Sequence, residues 1–375
     1  MKLINNTHNS EVFFALLQAG LWEKDINLLP YGEVDFSEVL RIAEEQSVVG
    51  LIAAGIENVV DTRPKKKDVV QFISRTVQLE HRNQAMNFFI GETVEKMRKD
   101  GIYTLLLKGQ GVARCYERPL LRVCGDVDFF LNEDNYEKAK VFMMPFASHV
   151  EPEHTSIKHI GMTIDSWKVE LHGSLRMGLP RRINRVLDDI QYDTFNGGDV
   201  GAWNNGDTQV FLLGEENEVV YVFVHFLKHF YKGGLGLRQI CDWCRLLWTF
   251  RETLDVKKVE SLIKRMCLVK EWKAFASLAV DYLGLDPSVI PMYEEASRWR
   301  KKAVRIKDFV MSVGNMGHNR DISYYSKYPY VIRKCISMSQ RGGDLIRHSR
   351  IFPINSILFF PSIVFYGLRG AINGD

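Results

Sequence analysis

The chain has 375 residues, of which 46% are hydrophobic and 25% are charged, as in ordinary globular proteins. Its 49 basic and 46 acidic residues give a formal net charge of +3. This composition excludes collagen-like and disordered chains, and the near balance of charge provides no general attraction to nucleic acid. We therefore expect no nucleic-acid partner, and we expect any functional charge to be confined to a local cluster of residues.

The cysteine content and the N-terminal residues indicate the cellular compartment in which the protein is expected. Six cysteines are too few for a disulfide scaffold, and residues 1–6 contain no apolar stretch typical of a signal peptide. We therefore expect reduced cysteines and a cytoplasmic protein. Cys241 and Cys244 form a C-x-x-C motif, but no second pair and no neighbouring histidines complete a zinc site. We expect two core cysteines in a helix.

Along the chain, a middle part that contains strands lies between helical flanks. Helices are predicted from Phe36 and over 67–99, where apolar residues recur at helical spacing. Strands are predicted next over 102–107, 127–131 and 166–172. The later predicted helices are 112–117, 135–143, 219–230, 237–250, 255–267, 269–284 and 292–312. Asp134 is the predicted N-cap of the helix over 135–143. This order predicts helical regions over 1–100 and 213–375 around a compact α/β or α+β core over 101–212.

The segment 351–367 is strongly apolar and is flanked by Arg347, Arg350 and Arg369. Prolines interrupt it, and it is shorter than the stretch of about 20 residues that spans a membrane. Two interpretations stay open. The segment is either a packed helical tail or a peripheral contact with an anionic membrane surface.

Asp126 and Asp128 are two residues apart in a predicted strand, so their side chains leave the same face. Two neighbouring carboxylates repel each other unless a cation lies between them. Oxygen ligands of this kind favour Mg²⁺ or Mn²⁺. The alternative is a pair of exposed acids on an edge strand.

Two neighbouring motifs favour the metal interpretation. Upstream, a strand ends in the turn Lys108–Gly111, which presents backbone N–H groups to an anion, and Lys108 and Arg122 add positive charge for a polyphosphate. Downstream, Glu170 offers a third carboxylate and shares a strand face with His172. Together these motifs indicate a metal-dependent site for phosphate transfer.

A later helix carries His225 and His229 at a spacing of four residues. Phe226 stands where a zinc peptidase would carry glutamate, so we do not expect that function, and the two histidines are either core residues or face a substrate. Arg238 and Asp242 have the same spacing, and an ion pair between them explains both.

These motifs together resemble the uncharacterised nucleotidyltransferase family of the polymerase-β-like superfamily. The resemblance spans about residues 100–250. The family pattern begins with a Leu-Leu-Lys-Gly turn, a tyrosine, an arginine and an Asp-x-Asp strand. It continues with a strand that carries the third carboxylate and a His-x-x-x-His helix, followed by an arginine and an aspartate. In this sequence the matching residues are Leu106–Gly109, Tyr116, Arg122, Asp126–Leu131, Val169–His172, His225, His229, Arg238 and Asp242.

The resemblance implies an α+β fold with a small mixed β-sheet as the nucleotidyltransferase core. It implies that Asp126, Asp128 and Glu170 bind Mg²⁺ or Mn²⁺, and that a hydroxyl of an unidentified acceptor attacks the α-phosphate of a nucleoside triphosphate such as ATP. Glu170 is also a candidate base. The implied nucleotide-binding residues are Lys108, Gly109, Gln110 and Arg122, and those implied for the substrate or a lid are His172, His225, His229, Arg238 and Asp242.

One position departs from the superfamily pattern, in which a small residue follows the turn glycine. Gln110 stands there and either obstructs the phosphates or leaves Gly111 to approach them. The alternative function is therefore a catalytically inactive module that binds a nucleotide or a partner.

Overall fold

The structure is a computed structural model that describes residues 2–62, 64–232, 234–317, 319 and 327–361. Its strands are β1 (Leu105–Leu107), β2 (Asp126–Phe130), β3 (Ala147–Val150), β4 (His159–Ile164), β5 (Trp167–His172), β6 (Val200–Asn205) and β7 (Thr208–Leu213). They form a mixed sheet in the order β3-β4-β5-β2-β1-β7-β6. Together with the helical regions on either side of it, this sheet confirms the predicted α+β fold.

Helices precede, interrupt and follow the sheet. Those before it are α1 (Lys2–Trp22), α2 (Phe36–Glu45), α3 (Val49–Glu57) and α4 (Lys66–Lys99). Those between its strands are α5 (Gly109–Ala113), α6 (Glu133–Met143) and α7 (Arg181–Asn196). Those after it are α8 (Glu215–Lys232), α9 (Leu237–Thr249), α10 (Val256–Arg265), α11 (Val269–Leu283), α12 (Ser297–Val313) and α13 (Tyr330–Ser349), and 353–361 is also helical.

The register of the central strands brings acidic residues together. Strand β2 lies between β1 and β5 and runs parallel to β5, with Asp126 opposite Lys168 and Asp128 opposite Glu170. Because residues that face each other across a strand pair project from the same side, Asp126, Asp128 and Glu170 share one face of the sheet.

Apolar residues pack against both faces. Phe129 belongs to a cluster that includes the inner residues of α4 and α6, whereas Phe130 belongs to the larger cluster that includes α8, α9 and α11. Phe130 follows Asp126 and Asp128 at two-residue spacing, so the carboxylates lie on the face that the later helices cover.

Three elements differ from the sequence prediction. The helical stretch from Phe36 divides into α2 and α3 around Ser47, whose φ of +56° is incompatible with a continuous helix. The helix predicted at 112–117 is the shorter, earlier α5. Asn132, not Asp134, caps α6, because its side-chain oxygen accepts a backbone N–H of the first turn at 2.9 Å.

The sequence patterns do not predict β3, β4, β6, β7 or α7. Strands β3 and β6 are the two edges of the sheet, and none of their residues is fully buried, so they lack the apolar run that marks an inner strand. The turn between β6 and β7 contains Gly206 with a φ of +61°, which is a hairpin signal that the sequence does carry.

Cys241 and Cys244 are buried free thiols in α9, as predicted. In the apolar C-terminal segment, Phe352 and Phe359 are buried in the larger cluster, whereas Ile357 is 66% exposed. Residues 362–367 and Arg369 lie outside the described residues. Among the described helices, we find none with the length and apolar character that crossing a membrane requires.

Candidate active site

A cavity of about 790 Å³ lies between the carboxylate face of the sheet and helices α8 and α9. Its volume is within the range of small-molecule sites, roughly 300–1,000 Å³. Of the residues predicted for the site, those that line it are Lys108, Gly109, Arg122, Asp126, Asp128, Glu170, His172, His225, His229, Arg238 and Asp242. Gln110 does not line it.

The three carboxylates form the acidic part of this cavity. Asp126, Asp128 and Glu170 each present an oxygen, and these oxygens lie within 4.8 Å of one another. Asp128 is buried, and its Oδ2 has no hydrogen-bond partner among the described residues. The charge of Asp128, followed by burial, raises the pKa of Asp126. An oxygen-preferring divalent cation fits this set, because it would relieve the repulsion and satisfy the orphaned oxygen.

Lys108 reaches the carboxylates from the turn after β1. Both Lys108 and Gly109 have positive φ, of 52° and 49°, and a non-glycine residue adopts this conformation rarely. The Lys108 Nζ atom lies 3.0 Å from Asp128 Oδ1 and 3.2 Å from His225 Nε2. Burial alone would lower the pKa of Lys108, but the surrounding acidic groups, Asp128 first among them, together outweigh it and raise the pKa. The ammonium group therefore stays charged.

Two histidines contact the carboxylates from the other side. His172 Nε2 lies 2.8 Å from Asp128 Oδ1, and His159 Nε2 lies 3.0 Å from Glu170 Oε2. Burial disfavours the charged form of Glu170, but the hydrogen bond from His159 and the charges of His172 and Lys108 outweigh it and lower the pKa. Sequence reasoning missed His159, since only the pairing of β4 with β5 brings it to the site.

Helix α8 forms the opposite wall. His225 and His229 both line the cavity, and their ring centroids are 4.7 Å apart. Burial and then the charge of Lys108 lower the pKa of His225. Lys228 also lines the cavity and forms no ion pair within the part of the chain that the structure describes. Burial, followed by repulsion from Lys232, lowers its pKa to about 8.

Arg122 and Asp242 bind each other, which corrects two predictions. Arg122 donates two hydrogen bonds to the Asp242 carboxylate, at 2.7 and 2.6 Å, and is only 4% exposed. Asp242 therefore does not pair with Arg238, which donates instead to the backbone oxygen of Val123 at 2.7 Å. The guanidinium of Arg122 is held by this ion pair and is not free for a phosphate.

Comparison with known proteins gives a family match and a similar solved structure. The profile of a family described as uncharacterised nucleotidyltransferase matches residues 32–284, about two thirds of the chain. The chain belongs to this family. Among solved structures, it is similar to the crystal structure of an antigenic nucleotidyltransferase-like protein from Paracoccidioides brasiliensis, with 11% identity, 48% of this chain and 92% of that chain covered, and a TM-score of 0.31. No curated protein matches the chain.

Within the turn of this family member, Gln110 faces away from the cavity. Its side-chain nitrogen donates to Asn83 Oδ1 at 2.8 Å on α4, and the residue is 2% exposed. Its side chain therefore neither obstructs a phosphate nor binds one. Gly111 does not take its place, because a Cβ there would lie 2.8 Å from a methyl group of Leu212, which indicates packing of α5 on the sheet.

Proposed function

We propose that this protein transfers a nucleoside monophosphate from a nucleoside triphosphate, ATP in the first instance, to a hydroxyl group of an acceptor. The acceptor is a small molecule, a saccharide or a protein. The observation that carries the proposal is the convergence of Asp126, Asp128 and Glu170 on one sheet face inside the cavity. Membership of the nucleotidyltransferase family supports it.

In this proposal Asp126, Asp128 and Glu170 would hold Mg²⁺ or Mn²⁺. Such a cation, when bound, supplies neutralisation of phosphate charge and activation of the attacking hydroxyl. Lys108 and the backbone at Gly109 would meet the phosphates at the end of β1. Lys228 replaces Arg122 as the second cation that we assign to the triphosphate, because Arg122 is engaged by Asp242.

At the α-phosphorus the reaction forms one bond and breaks one. The acceptor oxygen bonds to the α-phosphorus, the bond from that phosphorus to the bridging oxygen of pyrophosphate breaks, and the hydroxyl proton is released. The lowered pKa of Glu170 keeps this carboxylate ionised, which suits a cation ligand better than a base. His225 and His229 are neutral at pH 7, because burial lowers both pKa values, and they line the opposite wall.

The test is metal-dependent binding and turnover. We expect calorimetry to detect ATP binding that requires Mg²⁺ in the wild type and is lost in the double variant Asp126→Asn/Asp128→Asn. Pyrophosphate release, measured with water and with hydroxyl acceptors, should follow the same pattern. Asp134→Asn, an exposed acid on α6, is the matched control and should bind and react as the wild type does.

One observation favours the alternative of an inactive binding module. Lys108 already forms an ion pair with Asp128, and His172 and His159 already lie within hydrogen-bond distance of Asp128 and Glu170, so two of the three carboxylates have partners within the protein. That alternative predicts ATP binding that is independent of Mg²⁺, unchanged in the double variant and not followed by pyrophosphate release. Absence of any ATP binding would contradict ATP as the substrate and as the ligand of the inactive module, and would leave the module that binds a partner.

We also propose a peripheral membrane contact at the C-terminal segment. Ile354 and Ile357 are 64% and 66% exposed, and Arg347 and Arg350 lie on exposed positions beside them. An apolar surface next to cations suits an anionic bilayer. Full-length protein should float with phosphatidylserine vesicles, and Ile354→Asn/Ile357→Asn should not. Equal flotation of both proteins would contradict this contact.

A further inference from the structure

A second cluster of metal-ligand side chains lies beside the three carboxylates. It consists of His159 on β4 with Glu170 and His172 on β5, and we call it the His159–Glu170–His172 cluster. The sheet register assembles it. His159 is directly opposite His172 in the antiparallel β4–β5 pair, and Glu170 precedes His172 by two residues. All three side chains therefore leave the same face, which is the face that lines the cavity.

The donor atoms have the spacing of ligands to one ion. The Nε2 atoms of His159 and His172 lie 3.0 and 3.6 Å from the same oxygen, Glu170 Oε2, and the three atoms lie within 4.8 Å of one another. Ligands at about 2.0–2.2 Å from a metal are about 3–3.5 Å apart in tetrahedral or octahedral geometry. The cluster therefore closes around an ion with small side-chain movements.

The two oxygens of Glu170 have different surroundings. Lys168 Nζ lies 3.0 Å from Oε1, whereas both imidazoles lie on the side of Oε2, and His172 Nε2 also contacts Asp128 Oδ1 at 2.8 Å. One carboxylate oxygen is thus neutralised by a lysine, and the other is directed at two nitrogen donors. Two imidazole nitrogens and one carboxylate oxygen are ligands that suit Mn²⁺ or Zn²⁺, whereas Mg²⁺ binds oxygen almost exclusively.

We infer that the His159–Glu170–His172 cluster is a second cation site, which takes a transition-metal dication such as Mn²⁺ or Zn²⁺ in preference to Mg²⁺. This site shares Glu170 with the carboxylate site but does not depend on nucleotidyl transfer. It differs from the carboxylate site in its nitrogen ligands. The protein would thus hold two cations of different chemical preference at adjacent positions.

The experiment uses full-length protein and Mn²⁺ alone, without nucleotide. Electron spin echo spectroscopy of bound Mn²⁺ detects directly coordinated imidazole nitrogen. We expect nitrogen coupling in the wild type, and we expect it to persist in a hundredfold excess of Mg²⁺. His159→Gln should lose this coupling from His159 and bind Mn²⁺ at least tenfold more weakly in that excess. His154→Gln, an exposed histidine whose ring stacks on His159, is the matched control and should keep both properties.

Two results would overturn the inference. Bound Mn²⁺ without nitrogen coupling in the wild type would show that the imidazoles only hydrogen-bond to the carboxylates. A folded His159→Gln variant that binds Mn²⁺ as tightly as the wild type would show that His159 is not a ligand. Asp126→Asn separates this inference from the proposed function, because Asp126 is outside the cluster. Its nitrogen-coupled Mn²⁺ should remain even though the variant should lose Mg²⁺-dependent ATP binding.

Discussion

Arg122 and Asp242 form a two-pronged ion pair that joins the segment before β2 to helix α9, across 120 residues of sequence. Tyr116 donates its hydroxyl to the same carboxylate at 2.8 Å, so the ion pair is part of a buried polar network. Asp242 and Arg122 both line the cavity, and the pair therefore fixes α9 against the strands that carry the carboxylates.

We predict that Arg122→Met unfolds more easily than the wild type because it leaves the Asp242 carboxylate buried and unpaired. Removing one partner of a buried ion pair costs about 3–5 kcal/mol. Asp242→Asn should cost a similar amount, and the double variant should cost clearly less than the sum. Denaturant unfolding of the four proteins measures this cycle. Additive losses of stability would contradict the ion pair. An Arg122→Met protein of unchanged stability that binds ATP more weakly would show that Arg122 contacts the phosphates instead.

Gln110→Ala should lower the stability of the protein without changing its affinity for ATP. The substitution leaves the side-chain oxygen of Asn83 without its hydrogen-bond donor in a buried environment, at a cost of about 1–3 kcal/mol. Because the Gln110 side chain faces away from the cavity, the dissociation constant for ATP should stay within twofold of wild type. Thermal melts and calorimetry measure the two effects. A large loss of affinity in the folded variant would show that Gln110 does contact the nucleotide.

Asp126→Asn should stabilise the metal-free protein. The carboxylate of Asp128 raises the pKa of Asp126, so repulsion between them opposes folding at neutral pH and grows as pH rises through the pKa of Asp126. In EDTA we expect Tm to rise by about 2 °C. Mg²⁺ should then raise the Tm of the wild type but not that of the variant. Asp134→Asn should respond to Mg²⁺ as the wild type does, and an equal response of Asp126→Asn would contradict the carboxylate site.

ATP affinity in the presence of Mg²⁺ should fall between pH 7 and pH 9.5. The pKa of Lys228 is about 8 in the free protein, because burial and then Lys232 disfavour its charged form. Below this pKa the ammonium attracts the triphosphate, and above it the amine does not. A charge-assisted contact of about 1.5–3 kcal/mol corresponds to roughly tenfold or more in affinity. Lys228→Gln should show a smaller pH dependence, whereas Lys138→Gln, on the exposed surface of α6, should follow the wild type.

The parts of the site that the sequence predicts are those set by local spacing. Asp126 and Asp128 share a face because side chains alternate along any strand, and His225 and His229 share one because a helix turns every 3.6 residues. The partner of Arg122, the orientation of Gln110 and the presence of His159 depend on contacts between distant segments. A single sequence carries no signal for those contacts. The edge strands β3 and β6 are missed for a related reason, since they are defined by their neighbours and not by their own apolar residues.

Helix α8, which forms the wall of the cavity opposite the carboxylates, packs in part against residues that are synthesised much later. Phe230 and Tyr231 at the end of α8 pack against Phe352 and stack on Phe359, more than a hundred residues later. Gln46 from the first helices donates to the backbone oxygen of Val310, which is also late in the chain. At about 5–20 residues per second, a ribosome releases α8 several seconds before these partners. The acidic strands are therefore synthesised first, and Phe230 and Tyr231 lack these late partners for that interval, in which a chaperone can bind the nascent chain.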